Sequence, residues 1–160
     1  MNTLLRFGFA FLATAIAFVL HAERFTPQNI YAQTLVNQAI EKYPDLLVVA
    51  MHVTPPNESE NVIIASNVGR IGKRADAEDL RVIRTGETLA KVNKNGNRFE
   101  VELVLHDASG KPIGALAIVF PYKAGDSADE FKHRANMIQE ELAGKIPQLT
   151  KLMQPSSAER

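Results

Sequence analysis

Two stretches decide the fold: Leu46-Leu47-Val48-Val49-Ala50-Met51-His52-Val53 and Ile113-Gly114-Ala115-Leu116-Ala117-Ile118-Val119-Phe120-Pro121-Tyr122. Each is an almost unbroken apolar run rich in β-branched residues. The first lies between Pro44 and Pro55, which leaves no room for a helix of ordinary length. Runs of this kind are strands covered on both faces, and therefore central ones.

The rest of the sheet follows from its turns. Pro55, Pro56 and Asn57 mark a turn over Thr54 to Glu60, so Asn61 to Ser66 pairs with the first run as a hairpin. Asn95-Gly96, between Thr88 to Lys94 and Arg98 to His106, is the strongest short-range hairpin signal. Asp107-Ala108-Ser109-Gly110-Lys111-Pro112 then turns into the second apolar run, completing a three-strand meander. Along Arg98 to His106, Phe99, Val101, Leu103 and Leu105 alternate with Glu100 and Glu102, which predicts one buried face and one wetter face.

Three helices are predicted around these strands. Thr26-Pro27 supplies a cap and a first-position proline for a helix running to about Tyr43, with Tyr31, Leu35, Ala39, Val36 and Ile40 on its apolar stripe. Asp76 caps a short helix to Thr85, where Gly86 stops it. Asp126 or Ser127 caps a last helix with Phe131, Ala135, Ile138 and Leu142 on one face, weakened at Gly144 and Pro147 before a polar tail. The fold class is α+β.

The N-terminus has the pattern of an export signal. Met1 to Arg6 carries one positive charge, Phe7 to Leu20 is apolar or small, and Leu20-His21-Ala22 ends in a small residue. The run is shorter than the ~20 apolar residues a membrane span needs. The sequence therefore predicts a Sec signal peptide over 1–22, cleaved near Ala22, and a periplasmic or secreted product with no stable membrane span after cleavage. A single domain over 23–152 and a polar tail over 153–160 follow. The chain has 18 basic and 18 acidic residues; removal of Arg6 with the leader leaves 17 against 18, a formal charge of −1. That balance, and aromatics at only 7%, exclude a nucleic-acid partner. Cysteine is absent, which removes disulfides and thiol chemistry and suits a bacterial periplasm.

The order helix, hairpin, variable segment with a short helix, and meander resembles the PAS-like folds of extracytoplasmic Cache sensor domains. The stretch Leu105-His106-Asp107-Ala108-Ser109-Gly110-Lys111-Pro112-Ile113-Gly114-Ala115-Leu116-Ala117-Ile118 looks like their last hairpin. The resemblance covers most of Thr26 to Tyr122. It implies a five-stranded antiparallel sheet ordered 2-1-5-4-3, which places the two most apolar runs side by side, and a small-molecule site between the sheet and Asn67 to Gly86. The arginine, tyrosine and aspartate pattern of the amino-acid-binding members is absent, as are a later membrane helix and a signalling module, so no ligand identity carries over.

The chemistry-bearing residues are few. Gly69-Arg70-Ile71-Gly72-Lys73 lacks the spacing of a Walker loop, yet its glycines and cations suit a carboxylate or phosphate; the competing reading is a flexible, solvated basic loop. His52 is either a pocket donor or a satisfied buried side chain. His106 and His133 have no partner at metal-ligand spacing, no serine sits in a nucleophile elbow, and Glu100 and Glu102 have the alternation of any half-exposed strand. We therefore expect no catalytic residues, metal or cofactor, and no enzyme. The expected function is an exported, sensor-type domain for an anionic small molecule, signalling through a separate partner such as a membrane receptor. Arg70 and Lys73 would balance the ligand's charge, Ser66 and Asn67 would orient it, and His52 would donate to it. Two rival readings stand beside this one. A ligand-free interaction module or homodimer would use Tyr31, Leu35 and Phe131; a small enzyme would use His52 and Glu102, if one pocket holds both.

Overall fold

The computed structural model describes residues 29–156. The signal peptide, its cleavage site and the Thr26-Pro27 helix start lie outside the described residues. The elements are α1 (Tyr31–Lys42), β1 (Val48–Val53), β2 (Val62–Ser66), α2 (Ala77–Thr85), β3 (Leu89–Val92), β4 (Arg98–His106), β5 (Pro112–Pro121), α3 (Ala128–Gly144) and α4 (Leu149–Leu152). The sheet is antiparallel and ordered β2-β1-β5-β4-β3, so the two apolar runs are neighbours at its centre, as expected.

Register assigns every strand residue to a face. β1 pairs with β5 from Val48 opposite Val119 to Val53 opposite Gly114, and β5 continues to β4 with Leu116 opposite Leu103 and Ala117 opposite Glu102. Val49, Met51, Val53, Leu116, Ile118, Phe120, Phe99, Val101, Leu103 and Leu105 face one way, into the main core formed with α1, α3 and α4. The alternate residues face α2.

The helices dock by different means. α1 runs from Tyr31, preceded by Ile30, which is extended and bridges Pro155. Tyr31 N–H donates to the Gln154 carbonyl at 2.9 Å and Ser156 N–H to the Asn29 carbonyl at 2.6 Å, so residues 154–156 lie against the start of α1. Ser127, not Asp126, caps α3, accepting from Glu130 N–H; Asp126 closes the preceding turn by accepting from Lys123 N–H. Gly144 ends α3, and after Pro147 the chain forms α4, whose Leu152 is fully buried. The apolar positions named for a contact surface are used inside the protomer. Leu35 lies in the core, Phe131 stacks on Phe99 with ring centroids 5.0 Å apart, and the Tyr31 hydroxyl donates to the Lys145 carbonyl. No helix among the described residues is long and apolar enough to cross a membrane.

α2 crosses the opposite face on a much smaller apolar footing. Val82 packs on Val104 and Ala115, with Ile83 and Leu89 at the edge. Its N-terminus is fixed by a capping box: the Asp76 carboxylate accepts from Glu78 and Asp79 N–H, and Asp79 Oδ2 accepts from Asp76 N–H at 2.8 Å. Gly86, at φ 75°, ends the helix in the left-handed conformation that glycine adopts without steric cost.

The centre of the sheet tolerates no side chain at Gly114. A Cβ there would collide with the His52 carbonyl oxygen and lie 2.8 Å from Val53 Cγ1. Backbone that is paired on both sides cannot retreat, so we expect Gly114→Ala to lower stability by ~3 kcal/mol, seen as an earlier urea midpoint. A wild-type midpoint would contradict this close approach.

Candidate functional site

The face of the sheet under α2 is floored by small side chains. Ala50 of β1 and Ala117 of β5 stand where larger residues would fill the layer, and α2 together with the segment before it bridges over them. A cavity of about 220 Å³ remains. His52, Glu100, Glu102, Leu89 and Lys91 enter it from the strands, Asp76, Glu78 and Asp79 from the start of α2, and Ser66, Val68, Arg70 and Lys73 from β2 and the turn that follows.

The turn is ordered by its backbone. Gly69, Arg70 and Gly72 all have positive φ, at 76°, 68° and 81°, which folds the chain back along the free edge of β2. Gly72 N–H donates to the Ile63 carbonyl, Ile63 N–H to the Lys73 carbonyl and Ala75 N–H to the Asn61 carbonyl. A left-handed arginine is strained, since that conformation costs a non-glycine residue roughly 1 kcal/mol. The basic segment is thus hydrogen-bonded to the sheet edge, where the sequence left open a flexible loop. Arg74 pairs with Glu60 at 3.7 Å, whereas Arg70 and Lys73 make no ion pair among the described residues.

Beneath the turn, three titratable groups converge. His52 and Asp79 are 5% and 3% exposed, with His52 Nδ1 3.4 Å from Asp79 Oδ2. The pair lacks hydrogen-bond geometry, so Nδ1 has no partner; neither has Glu102 Oε2. Burial holds the His52 imidazole below its ordinary value, more strongly than the nearby Asp79 and Asp76 charges raise it, so the ring is neutral at neutral pH. Burial first, and then the neighbouring Asp79 carboxylate, push Glu102 up to about 8. Glu102 therefore keeps its proton at neutral pH. Glu102 is half-buried, as the alternation of a half-exposed strand predicts, but its Oε2 lies out of water beneath α2. Lys91 is held raised chiefly by its hydrogen bond to Glu78, and lies 4.0 Å from Glu100.

Of the residues singled out for binding, His52, Ser66, Arg70 and Lys73 line the cavity. Asn67 is placed outside its lining: its Oδ1 accepts from Val49 N–H at 2.8 Å and its Nδ2 donates to the Leu47 carbonyl at 3.1 Å, extending the β1 edge. Ser66 Oγ accepts from Val68 N–H, and Ser66 N–H donates to Gln33 Oε1. His52 and Glu102, the enzyme candidates, share the cavity with Asp79 beside both. Asp79 was not singled out in the sequence. Its spacing from Asp76 marks a reciprocal cap, but nothing local says that the cap also faces a histidine on β1.

The nlh2 GAF domain of A. aeolicus is 15% identical, with TM-score 0.55 over 72% of this chain and 83% of that one. The repressor BlcR of Agobacterium tumefaciens is 14% identical, with TM-score 0.50 over 73% and 67%. The inducer-binding domain of a PobR double mutant from Acinetobacter, in complex with 3-hydroxybenzoic acid, is 14% identical, with TM-score 0.48 over 74% and 96%. No family model and no curated protein sequence matches the chain. The fold is therefore that of GAF and PAS-like domains.

The buried carboxyl has a measurable signature. A carboxyl raised from 4.5 to about 8 binds more protons in the folded state than in the unfolded one between those values. Its contribution to stability is therefore present below pH 4.5 and is lost as pH rises toward 8. Relative to wild type, Glu102→Gln should become progressively more stable from pH 6 to about 8, measured as the difference in urea midpoints. A pH-independent difference would mean that Glu102 is open to water.

Proposed function

We propose that this chain is an exported sensor domain of the PAS/Cache type that binds a small molecule between the sheet and the Ser66 to Asp79 segment. The observation that carries the reading is the cavity itself, which holds buried polar atoms without partners, His52 Nδ1 and Glu102 Oε2, below two unpaired cations, Arg70 and Lys73. Unpaired buried polar atoms are costly in a filled core and useful in a binding site. The acidic part of the ligand lies at the turn, against the Arg70 and Lys73 side chains. Export rests on the leader sequence, and a cell fraction in which the protein's mass begins near Glu23 tests it. Occupancy orders the turn and α2, whose small apolar footing makes them the elements most easily biased, and a separate membrane partner reads that change.

Screening the mature protein by calorimetry against carboxylates and phosphates tests binding. Arg70→Gly is the informative variant, because glycine suits φ 68° and keeps the turn intact. We expect it to fold with at least wild-type stability and to bind an anionic hit about tenfold more weakly, the loss of one charged hydrogen bond. Unchanged affinity would remove Arg70 from the site.

A further inference from the structure

The deep end of the cavity is chemically unlike its rim. Arg70 and Lys73 stand at the rim, while Asp79, Glu102 and His52 stand within, so a wholly anionic ligand would meet like charge as it entered. Three groups able to accept converge there: His52 Nδ1, in the tautomer that carries its proton on Nε2, and Glu102 Oε2 once its carboxyl ionises, neither of them hydrogen-bonded, and the Asp79 carboxylate, whose Oδ2 accepts from the Asp76 N–H. His52 is 5% exposed, so its free nitrogen can be satisfied only by something inside the cavity.

We infer that this deep end is a subsite for a protonated primary amine, and that the ligand is a short zwitterion with its acidic group on Arg70 and Lys73. The inference rests on the small-molecule reading of the cavity. An ammonium group has three donors and no acceptor, which matches three inward acceptors. A metal ion fits less well, because among the described residues no group of three or more histidines, aspartates and glutamates is arranged to hold one. Lys91 on β3, which lines the same cavity, is committed to Glu78 and lies 4.0 Å from Glu100, so it does not fill the subsite. The volume of about 220 Å³ has room for about seven water-sized groups, at ~30 Å³ each. That suits a chain of a few carbons between the two charged ends.

Binding should displace a proton. The group that loses it is Glu102, which faces Asp76, Glu78 and Asp79 on α2 and Lys91 on β3. As the ammonium enters, the proton on the Glu102 carboxyl passes to solvent, and the carboxylate left behind accepts from the ammonium. Charge in the pocket is then balanced without any other reactant.

The test is calorimetry of the mature protein with β-alanine, propionate and propylamine, extended to longer ω-amino carboxylates, in two buffers of different ionisation heat at pH 7. We expect a zwitterion to bind at least tenfold more tightly than its matched acid or amine, with proton release approaching one per site. Glu102→Gln should abolish that release and weaken the zwitterion about tenfold, leaving the matched acid unaffected. Propionate binding as tightly as β-alanine, in wild type and in Glu102→Gln, would overturn the amine subsite and leave the cavity reading standing. Propylamine as tight as β-alanine would overturn the two-ended ligand. Silence of every zwitterion beside a hit from the carboxylate and phosphate screen overturns this inference alone; silence of both screens overturns the small-molecule reading with it.

Discussion

Pairing of β1 with β5, Val48 opposite Val119 through Val53 opposite Gly114, determines which side chains meet the core and which meet α2. Strand side chains alternate, so a slip of one residue would exchange the two sets. In the observed register Met51 and Leu116 go to the helices α1 and α3, and His52 and Ala117 go to the cavity. Gly114 lets the two backbones approach at the end of this pairing, beside His52. The histidine's position is thus a consequence of packing two apolar strands, not of any local motif around it.

The second determinant is the contrast between the two layers. On the core side, strands and three helices bury large aliphatic and aromatic side chains, each worth roughly 1.5–3 kcal/mol. On the other side, the buried apolar cluster under α2 is only Val82, Val104 and Ala115, and a capping box holds the helix end. That thin layer leaves space and places Asp79 over it. Enclosure then sets the electrostatics: away from water, His52 stays neutral and Glu102 keeps its proton, leaving Asp79 between a weak base and a neutral acid. The cations Arg70 and Lys73 remain at the rim, because the turn that carries them is fastened along β2.

How much of this was legible depended on whether a feature is local. The central strands, the Asn-Gly hairpin, the Asp76 cap and the Gly86 stop are written in neighbouring residues, and the structure has them in place. The adjacency of the two apolar runs followed from their being covered on both faces. Glu102 illustrates what was not legible. Its alternation with Val101 and Leu103 identifies the face but not what covers that face, and only the path of α2 closes it off. Asn67 is the converse case: a polar residue beside a glycine turn resembles a ligand contact, yet its amide completes the edge of β1. The leader that motivates export lies outside residues 29–156.

The central claim is that α2 covers the second face of the sheet closely enough to make the half-buried Glu102 carboxyl a neutral acid. A carbon-13 NMR titration of the glutamate side-chain carboxyls, with the Glu102 resonance assigned by comparison with Glu102→Gln, tests it directly. The account predicts a midpoint at about 8 for Glu102. A midpoint near the ordinary 4.5 would contradict the enclosure, and with it the cavity on which the functional reading stands.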